Sequence, residues 1–437
     1  MQEPILTKHR GVPGIEHLDV YEHNGGYSAL RKALRGLEPD QITTMVTKAN
    51  LRGRGGAGFP AGRKWSFLPK DRSIDRYLLC NADEGTPGAF NNRLLMEFSP
   101  HQLLEGCMIA SYAIGARQSF ILIRGEYQLA RLRLEAAVNE AYGKGYLGRD
   151  ILGSGYSLDL LVQRGAGSYE VGEETALIEC MEGSRGMPRQ RPPFPAIKGL
   201  YQKPTVVNNV ETLCNVPHIV NNGADWFLGI GSTSCPGTKV FSLSGNVKTP
   251  ENYEAPMGTS FRDLIEMAGG MQDPAHPLKA LMLGAEPPII PAAQQDTPAD
   301  IDAVAKIGSA LGAGAVIVLD DRQCVIDFTL RATQFFAHES CGKCTPCREG
   351  CPWMAKILER IETGLGTSDD IDLLADICAS IAGKSLCALG EFATGPVLSS
   401  IKYFREDYER HIAGYACHVP SHPGSARMVL DPPHSLP

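Results

Sequence analysis

The sequence has no run of about eighteen apolar residues with which a helix could cross a bilayer; its best stretch, residues 311–319, is far too short. It has no basic excess either. Its 42 Lys and Arg stand against 49 Asp and Glu, a net charge of −7, and phosphate binding favours the opposite balance, so a nucleic-acid partner is not expected. The opening residues, Met1-Gln2-Glu3-Pro4-Ile5-Leu6-Thr7-Lys8, lack the basic region and apolar stretch of a signal peptide. A cytosolic, reducing setting is therefore expected. There Cys80, Cys107, Cys180, Cys214, Cys235 and Cys324 read singly as small core fillers. No internal repeat is seen. What remains is a chain of 437 residues, 43 % hydrophobic and 21 % charged, with material for two to four globular domains.

The cysteines are unevenly placed. Cys341, Cys344, Cys347 and Cys351, followed by Pro352, have the C-x2-C-x2-C-x3-C-P spacing by which a peptide wraps an iron–sulfur cube. Disulfides fit poorly, because neighbours at this spacing pair badly and nothing else looks secreted. Zinc is the stronger rival, but all-cysteine zinc sites usually bring two separated pairs. The run marks an electron carrier.

Apolar runs at 77–80, 120–123 and 158–162 read as buried strands, with helices at 103–116 and 129–142 between them. Such alternation implies a parallel sheet covered by helices. Residues 27–50 look helical, as do 206–220 beyond a proline-rich passage at 188–204. A strand at 239–245, a short helix capped by Thr259 or Ser260 and a strand at 315–319 outline a small β-rich domain. Beyond it four apolar stripes predict four amphipathic helices in an up-and-down bundle. The stripes are Val325, Phe328, Ala332, Phe335; Met354, Ile357, Leu358, Ile361; Ile371, Leu374, Cys378, Ile381; and Val397, Ile401, Phe404, Tyr408. The expected division is 1–237 for an α/β domain, 238–320 for the β domain, 321–415 for the bundle and 416–437 for a flexible tail.

In such a bundle the loop joining helices one and two lies at the same end as the loop joining three and four. Cys387, in the second of these loops, can therefore close a site begun by Cys341, Cys344 and Cys347. Cys351 is the reserve ligand, expected at the start of helix two with Pro352 in its first turn.

The stretch 52–65 contains a literal G-x-G-x-x-G, but a helix rather than a strand precedes it, which weakens the dinucleotide reading. Arg52, Arg54, Arg63 and Lys64 supply charge, glycine lets backbone N–H groups approach phosphate, and Phe59 and Phe67 could stack on a base. Polar clusters follow the strands: Asn81, Asp83 and Glu84; Tyr169, Gly172, Glu173 and Glu174; then Asn208 and Asn209. Singly each acid is more often a cap or a solvated group. Together they suit a flavin edge and a ribose.

Residues 53–65, 81–84, 172–177, 191–195, 203–212 and 339–350 together resemble the NADH-oxidising flavoprotein subunit of respiratory complex I, the 51 kDa type. The resemblance covers most of the chain. It implies an α/β multidomain protein with a Rossmann-like FMN and NADH domain, a ubiquitin-like β-grasp domain and a four-helix bundle. It implies FMN, one 4Fe–4S cluster on Cys341, Cys344, Cys347 and Cys387, and NADH as substrate. Gly53, Arg54, Gly55, Gly56 and Lys64 would cradle FMN and nucleotide phosphate. Asn81, Asp83, Glu84, Tyr169, Gly172, Glu173, Asn208, Asn209 and Thr212 would line the cofactor site. Phe59, Phe67 and Phe194 would sandwich adenine, and Glu174 would disfavour a 2′-phosphate by charge repulsion. The cofactor carries the chemistry, so no catalytic triad is expected, and His101 and His338 read as structural. Implied partners are a thioredoxin-like 2Fe–2S subunit and a large multi-cluster iron–sulfur subunit. The implied place is the inner face of the membrane (the matrix side in a mitochondrion), peripheral within a quinone-reducing respiratory complex.

The chain departs from the family pattern at Thr86, where a second acid is usual, at Glu170-Val171, at Arg191 where lysine is common, and at the extra thiol Cys351. Two other functions compete. One is the diaphorase subunit of an NAD-linked hydrogenase or formate dehydrogenase; the other is a zinc-stapled assembly protein without catalysis.

Overall fold

A computed structural model of the chain describes residues 3–413. The tail expected at 416–437 lies outside them. The predicted strands form a four-stranded sheet: β1 (Tyr77–Ala82), β2 (Gln118–Ile123), β3 (Asp159–Arg164) and β4 (Thr205–Asn209), in the order β3-β2-β1-β4. Every pairing is parallel. Leu78, Leu79 and Cys80 of the central strand are all fully buried, the continuous apolar run of a strand covered on both faces.

β4 corrects the helical reading of 206–220. Residues 205–209 are extended and pair with β1 from Tyr77↔Thr205 to Asn81↔Asn209; the helix is Val210–Asn222. The cause is local. Val206 and Val207 are β-branched and buried, and the Asn209 side chain caps the following helix by accepting from the N–H groups of Glu211 and Thr212. Likewise 27–50 holds two helices, Ser28–Gly36 and Pro39–Lys48, the second opened by Pro39.

The chain runs outward from β1 through β2 to β3, then returns to β4 on the other side of β1. Chain order thus reverses between β1 and β4. In open α/β sheets the crevice beyond the carboxyl ends of the strands at such a point is where ligands bind.

The next unit has strands β5 (Thr238–Gly245), β6 (Glu251–Pro256), β7 (Leu278–Met282), β8 (Ile290–Pro291) and β9 (Ala315–Asp320), in the order β8-β7-β9-β5-β6. Only β9 and β5 run parallel. The helix Phe261–Met267, capped by Ser260, seats Phe261, Leu264 and Ile265 in the same core as Phe241, Leu243, Val316 and Val318.

Helices Val325–Glu339, Thr345–Glu362, Ser368–Ile381 and Leu389–Tyr403 follow; each packs on the next and the last returns to the first. The second and third predicted stripes are buried throughout. The first is rotated: Ile326, Thr329, Leu330, Thr333 and Phe336 are buried, while Phe328 and Phe335 are only half-buried. The fourth spans two helices, because the chain bends at Phe404 before Arg405–Ile412. Pro352 is not in a first turn. The helix starts at Thr345, Pro346 takes the first-turn place, and Cys351 and Pro352 lie well inside it.

Candidate functional site

The glycine stretch is a pinned loop between the helices Pro39–Lys48 and Ala61–Ser66, not a strand-to-helix turn. Gly53 N–H donates to Phe59 O at 3.0 Å and Ala61 N–H to Leu51 O at 2.8 Å, closing its base. Gly55 has no room for a side chain, since a Cβ there would lie 2.9 Å from Asn209 Cβ. Gly58 sits at φ +64, against Ile301. The loop is thus pressed onto the end of β4.

The loop cations are less free than their number suggested. The Arg54 guanidinium is buried, donating to Pro236 O and facing Cys235, so it takes no part in a phosphate cradle. Arg52 bonds Gly58 O and Ser234 O. Arg63 lies 5.9 Å from the ring centres of both Phe59 and Phe67, themselves 5.9 Å apart. Lys64 Nζ is 2.8 Å from Glu174 Oε2, and Arg191 Nη1 is 3.1 Å from Glu174 Oε1. Glu174 is therefore already matched by two cations. Phe59, Phe67 and Phe194 are all exposed, unusual for phenylalanine and suited to a stacking ligand.

Around the carboxyl ends of β1 and β4 the predicted residues gather. Asn81 Nδ2 donates to Gly172 O at 2.7 Å, bringing the 169–174 segment over β1. Trp65 Nε1 donates to Asn208 Oδ1 at 2.7 Å, and Thr212 Oγ1 accepts from Arg54 N–H at 2.8 Å. Glu173 proves to be a helix cap, accepting from the N–H groups of Thr175 and Ala176. Glu84 corrects the site list: its carboxylate is consumed by the N–H groups of Asn92 and Arg93, the Asn92 amide and the Tyr127 hydroxyl.

Asp83 differs from them all. Both its carboxylate oxygens are buried and have no hydrogen-bond partner. Burial pushes its pKa up to about 7, helped by Glu126 and Glu339 and opposed by Arg124. Such an orphan acceptor, in the crevice at the chain-order reversal, fits a ligand that brings N–H or O–H donors, as FMN does. His101 is structural as expected, bonded to the Tyr27 hydroxyl at 2.8 Å and to Glu140 at 3.2 Å; His338 is exposed beside Glu339.

One polar junction escaped sequence reading. Glu286, buried in the loop between β7 and β8, accepts from the Tyr169 hydroxyl at 2.8 Å and from the Thr86 hydroxyl. Burial pushes its pKa up. Thr86 and Glu286 are far apart in sequence, so only the departure at Thr86 hinted at it. Tyr169 also stacks edge-on against Phe335 and Phe336, ring centres 5.3 Å and 5.8 Å away, so it joins the sheet domain to both later units.

Cys344, Cys347 and Cys387 border one apolar core, although Cys387 comes from the far hairpin. Burial pushes the Cys341 and Cys387 thiols up. Cys347 is pulled down to about 7 chiefly by the hydrogen bond it accepts from Cys351, partly offset by burial, and its Sγ lies 3.1 Å from Ser340 Oγ. Cys351 is buried in the helix with Sγ 3.9 Å from Cys347 Sγ. Burial lifts the pKa of Glu170 to about 7, a shift that neighbouring Cys387 opposes, and its Oε1 is buried without a partner. Four thiols, from two loops and the first turn of the helix Thr345–Glu362, fit an iron–sulfur cube by donor chemistry. Lys343 Nζ donates to Pro188 O at 2.6 Å, tying this loop to the proline-rich passage beside Glu174.

Three family models match stretches of the chain. Residues 46–218 match the model of the Nuo51 FMN-binding domain, 240–282 that of the SLBB domain, and 327–411 that of the NADH-ubiquinone oxidoreductase-F iron-sulfur binding region. The NADH-quinone oxidoreductase F 2 subunit of Rhizobium meliloti is 49 % identical over 418 residues, 95 % of this chain and 99 % of the relative. The NADH-quinone oxidoreductase F subunit of Streptomyces coelicolor is 50 % identical over 401 residues, 92 % and 89 % of the two chains. Among solved structures, a chain of an NAD+-reducing [NiFe]-hydrogenase superposes with a TM-score of 0.82 at 36 % identity, covering 94 % of this chain and 67 % of that one. The chain belongs to the family of NADH-quinone oxidoreductase F subunits, flavoproteins with an FMN-binding domain and a 4Fe–4S region that oxidise NADH.

Proposed function

We propose that this chain binds FMN in the crevice between β1 and β4, takes a hydride from NADH there, and sends the electrons out through a 4Fe–4S cluster on Cys341, Cys344, Cys347 and Cys387. The observation that carries the reading is the unpartnered, buried carboxylate of Asp83 at the chain-order reversal, with a four-thiol group one aromatic junction away. FMN, when bound, accepts two electrons as hydride and returns them singly to an iron–sulfur acceptor. The residues do the rest. Asp83, Asn81 and Asn209 orient polar atoms of the isoalloxazine and ribityl groups, and the Gly53–Gly56 backbone approaches the phosphate. Phe59, Phe67 and Phe194 hold adenine. Glu174 keeps Lys64 and Arg191 occupied, which disfavours a 2′-phosphate there.

The domains divide at 237 and 320. The middle unit is a β-grasp module, supported by its parallel β5–β9 pair and enclosed helix. The last is a four-helix bundle, supported by the closed ring of helix contacts. Electrons pass to a thioredoxin-like 2Fe–2S subunit and a large multi-cluster subunit of a quinone-reducing complex. Among the described residues no helix is long and apolar enough to cross a membrane. The proposed place is the inner face, reached through the partner subunits. The likeness to the hydrogenase chain favours a second reading, the diaphorase of an NAD-linked hydrogenase.

The test is spectroscopic. NADH added anaerobically to the purified chain should bleach flavin absorption and produce the electron paramagnetic resonance signal of a reduced 4Fe–4S cluster. A colourless chain with zinc in place of iron at Cys341 refutes the reading. The subunits that co-purify from the native source decide between quinone-linked and hydrogen-linked complexes.

A further inference from the structure

Cys324, read from sequence as a core filler, is the N-cap of the helix Val325–Glu339 and lies at the end away from the cluster cysteines. Glu362 ends the neighbouring helix, and His411 lies on the last described helix, Arg405–Ile412. Their ligand atoms face one another: Sγ of Cys324 is 3.4 Å from Oε2 of Glu362 and 3.6 Å from Nε2 of His411, and Nε2 is 3.3 Å from Oε2. Cys324 and His411 are buried and Glu362 is half-buried.

These separations are those of three corners of a small tetrahedron. With bonds of about 2.3 Å to sulfur and about 2.0–2.1 Å to nitrogen and oxygen, tetrahedral zinc places sulfur about 3.5 Å from its neighbours and nitrogen about 3.3 Å from oxygen. The surroundings agree. His411 Nδ1–H donates to Asp407 O at 2.7 Å, the outer bond that fixes the ring and turns the Nε2 lone pair inward. Asp327 N–H lies 3.4 Å from Cys324 Sγ, at the start of a fifteen-residue helix, where a thiolate is favoured. A thiolate, a carboxylate and a neutral imidazole balance a divalent charge, which lowers the cost of burying it.

We propose that Cys324, Glu362 and His411 form a second metal site that takes zinc, separate from the iron–sulfur thiols. On binding, Cys324 releases its thiol proton to solvent, and no electron moves. The ion would clamp the start of the first helix, the end of the second and the last described helix, closing the bundle at the end opposite the cluster. This inference does not rest on the flavin reading.

The test is metal analysis of the full-length protein purified with its flavin and cluster, with zinc K-edge absorption. About one zinc per chain is expected beside the iron, with one sulfur at about 2.3 Å and nitrogen or oxygen at about 2.0–2.1 Å. Cys324→Ser and His411→Gln should each lose that zinc while retaining iron and the cluster signal. If either fails to fold, Glu362→Gln serves, with an expected loss of at least tenfold in zinc retention against a chelator. Protein without zinc that also fails to take up added zinc stoichiometrically would overturn the proposal. So would zinc that persists in all three variants, or a zinc shell of four sulfurs, which would place the ion at Cys341.

Discussion

Lys239 and Glu211 offer the sharpest test of how the glycine loop is held. Their charged atoms lie 3.0 Å apart, and the side chains are 1 % and 0 % exposed. Lys239 Nζ also donates to Arg54 O at 3.0 Å, so the pair anchors the loop from beneath. Glu211 further accepts from Val240 N–H at 3.0 Å and from Asn91 Nδ2 at 3.1 Å. Burial pulls both groups toward neutrality, raising Glu211 and lowering Lys239, and each opposes that shift in the other. At 3 Å with an effective dielectric of about 20, their attraction is about 5 kcal/mol before desolvation is counted. Lys239→Met removes it and leaves a buried carboxylate, for which losses of about 3–5 kcal/mol are typical. An upper limit has an independent origin. Glu211 can instead take a proton, which at pH 7 costs a carboxyl of ordinary pKa about 4 kcal/mol. The lost bond to Arg54 O adds about 1 kcal/mol.

The assay is native-state amide exchange in the peptide containing Val240, which reads local opening directly. Protection should fall roughly a hundred- to a few-thousand-fold in Lys239→Met. The loss should be smaller at pH 5.5 than at pH 7.5. In the variant, Glu211 has a folded pKa above its unfolded one, so stability declines as pH rises from the unfolded value through the folded one. Lys239→Met with Glu211→Leu should recover part of the loss, because it removes the stranded charge. A fall in protection below tenfold, or a double variant no better protected than the single, would refute the reasoning.

Asp83→Ala should weaken FMN binding about ten- to a hundredfold, read by flavin fluorescence, since hydrogen bonds to a charged group are worth about 1.5–3 kcal/mol. In the flavin-free chain, the raised pKa of Asp83 contributes a fall in stability as pH rises from about 4 to about 7; Asp83→Asn should shallow that decline in urea titrations, leaving the share of Glu170. Glu174→Gln should free Lys64 from its ion pair, leave Arg191 only its pairing with Glu173, and raise kcat/KM for NADPH relative to NADH by up to roughly tenfold; an unchanged ratio counts against the assignment. Cys387→Ser should lose the cluster signal and iron while NADH still reduces the flavin. Intact iron in that variant, with loss in Cys351→Ser, would transfer the fourth ligand to Cys351.

What could be read from the sequence was decided by periodicity and topology. Runs buried on both faces, such as Leu78-Leu79-Cys80, declare a central parallel strand, and helix connectivity alone suggests Cys387 as a partner for Cys341. β4 was hidden because two valines before an asparagine cap blend into the helix that follows. The direction of a side chain was not legible at all. Arg54 among glycines looks like a phosphate ligand, yet its guanidinium points inward to Pro236 and Cys235, while Lys64 reaches Glu174. The acids sort the same way. Glu84 and Glu173 are spent on backbone N–H groups nearby, whereas Asp83, one residue from Glu84, has none. A motif brings polar groups to one edge of a sheet, and only the hydrogen bonds already made decide which are left for a ligand. By that criterion Asp83, rather than the more numerous charges of the glycine loop, is the residue on which we propose that flavin binding most depends.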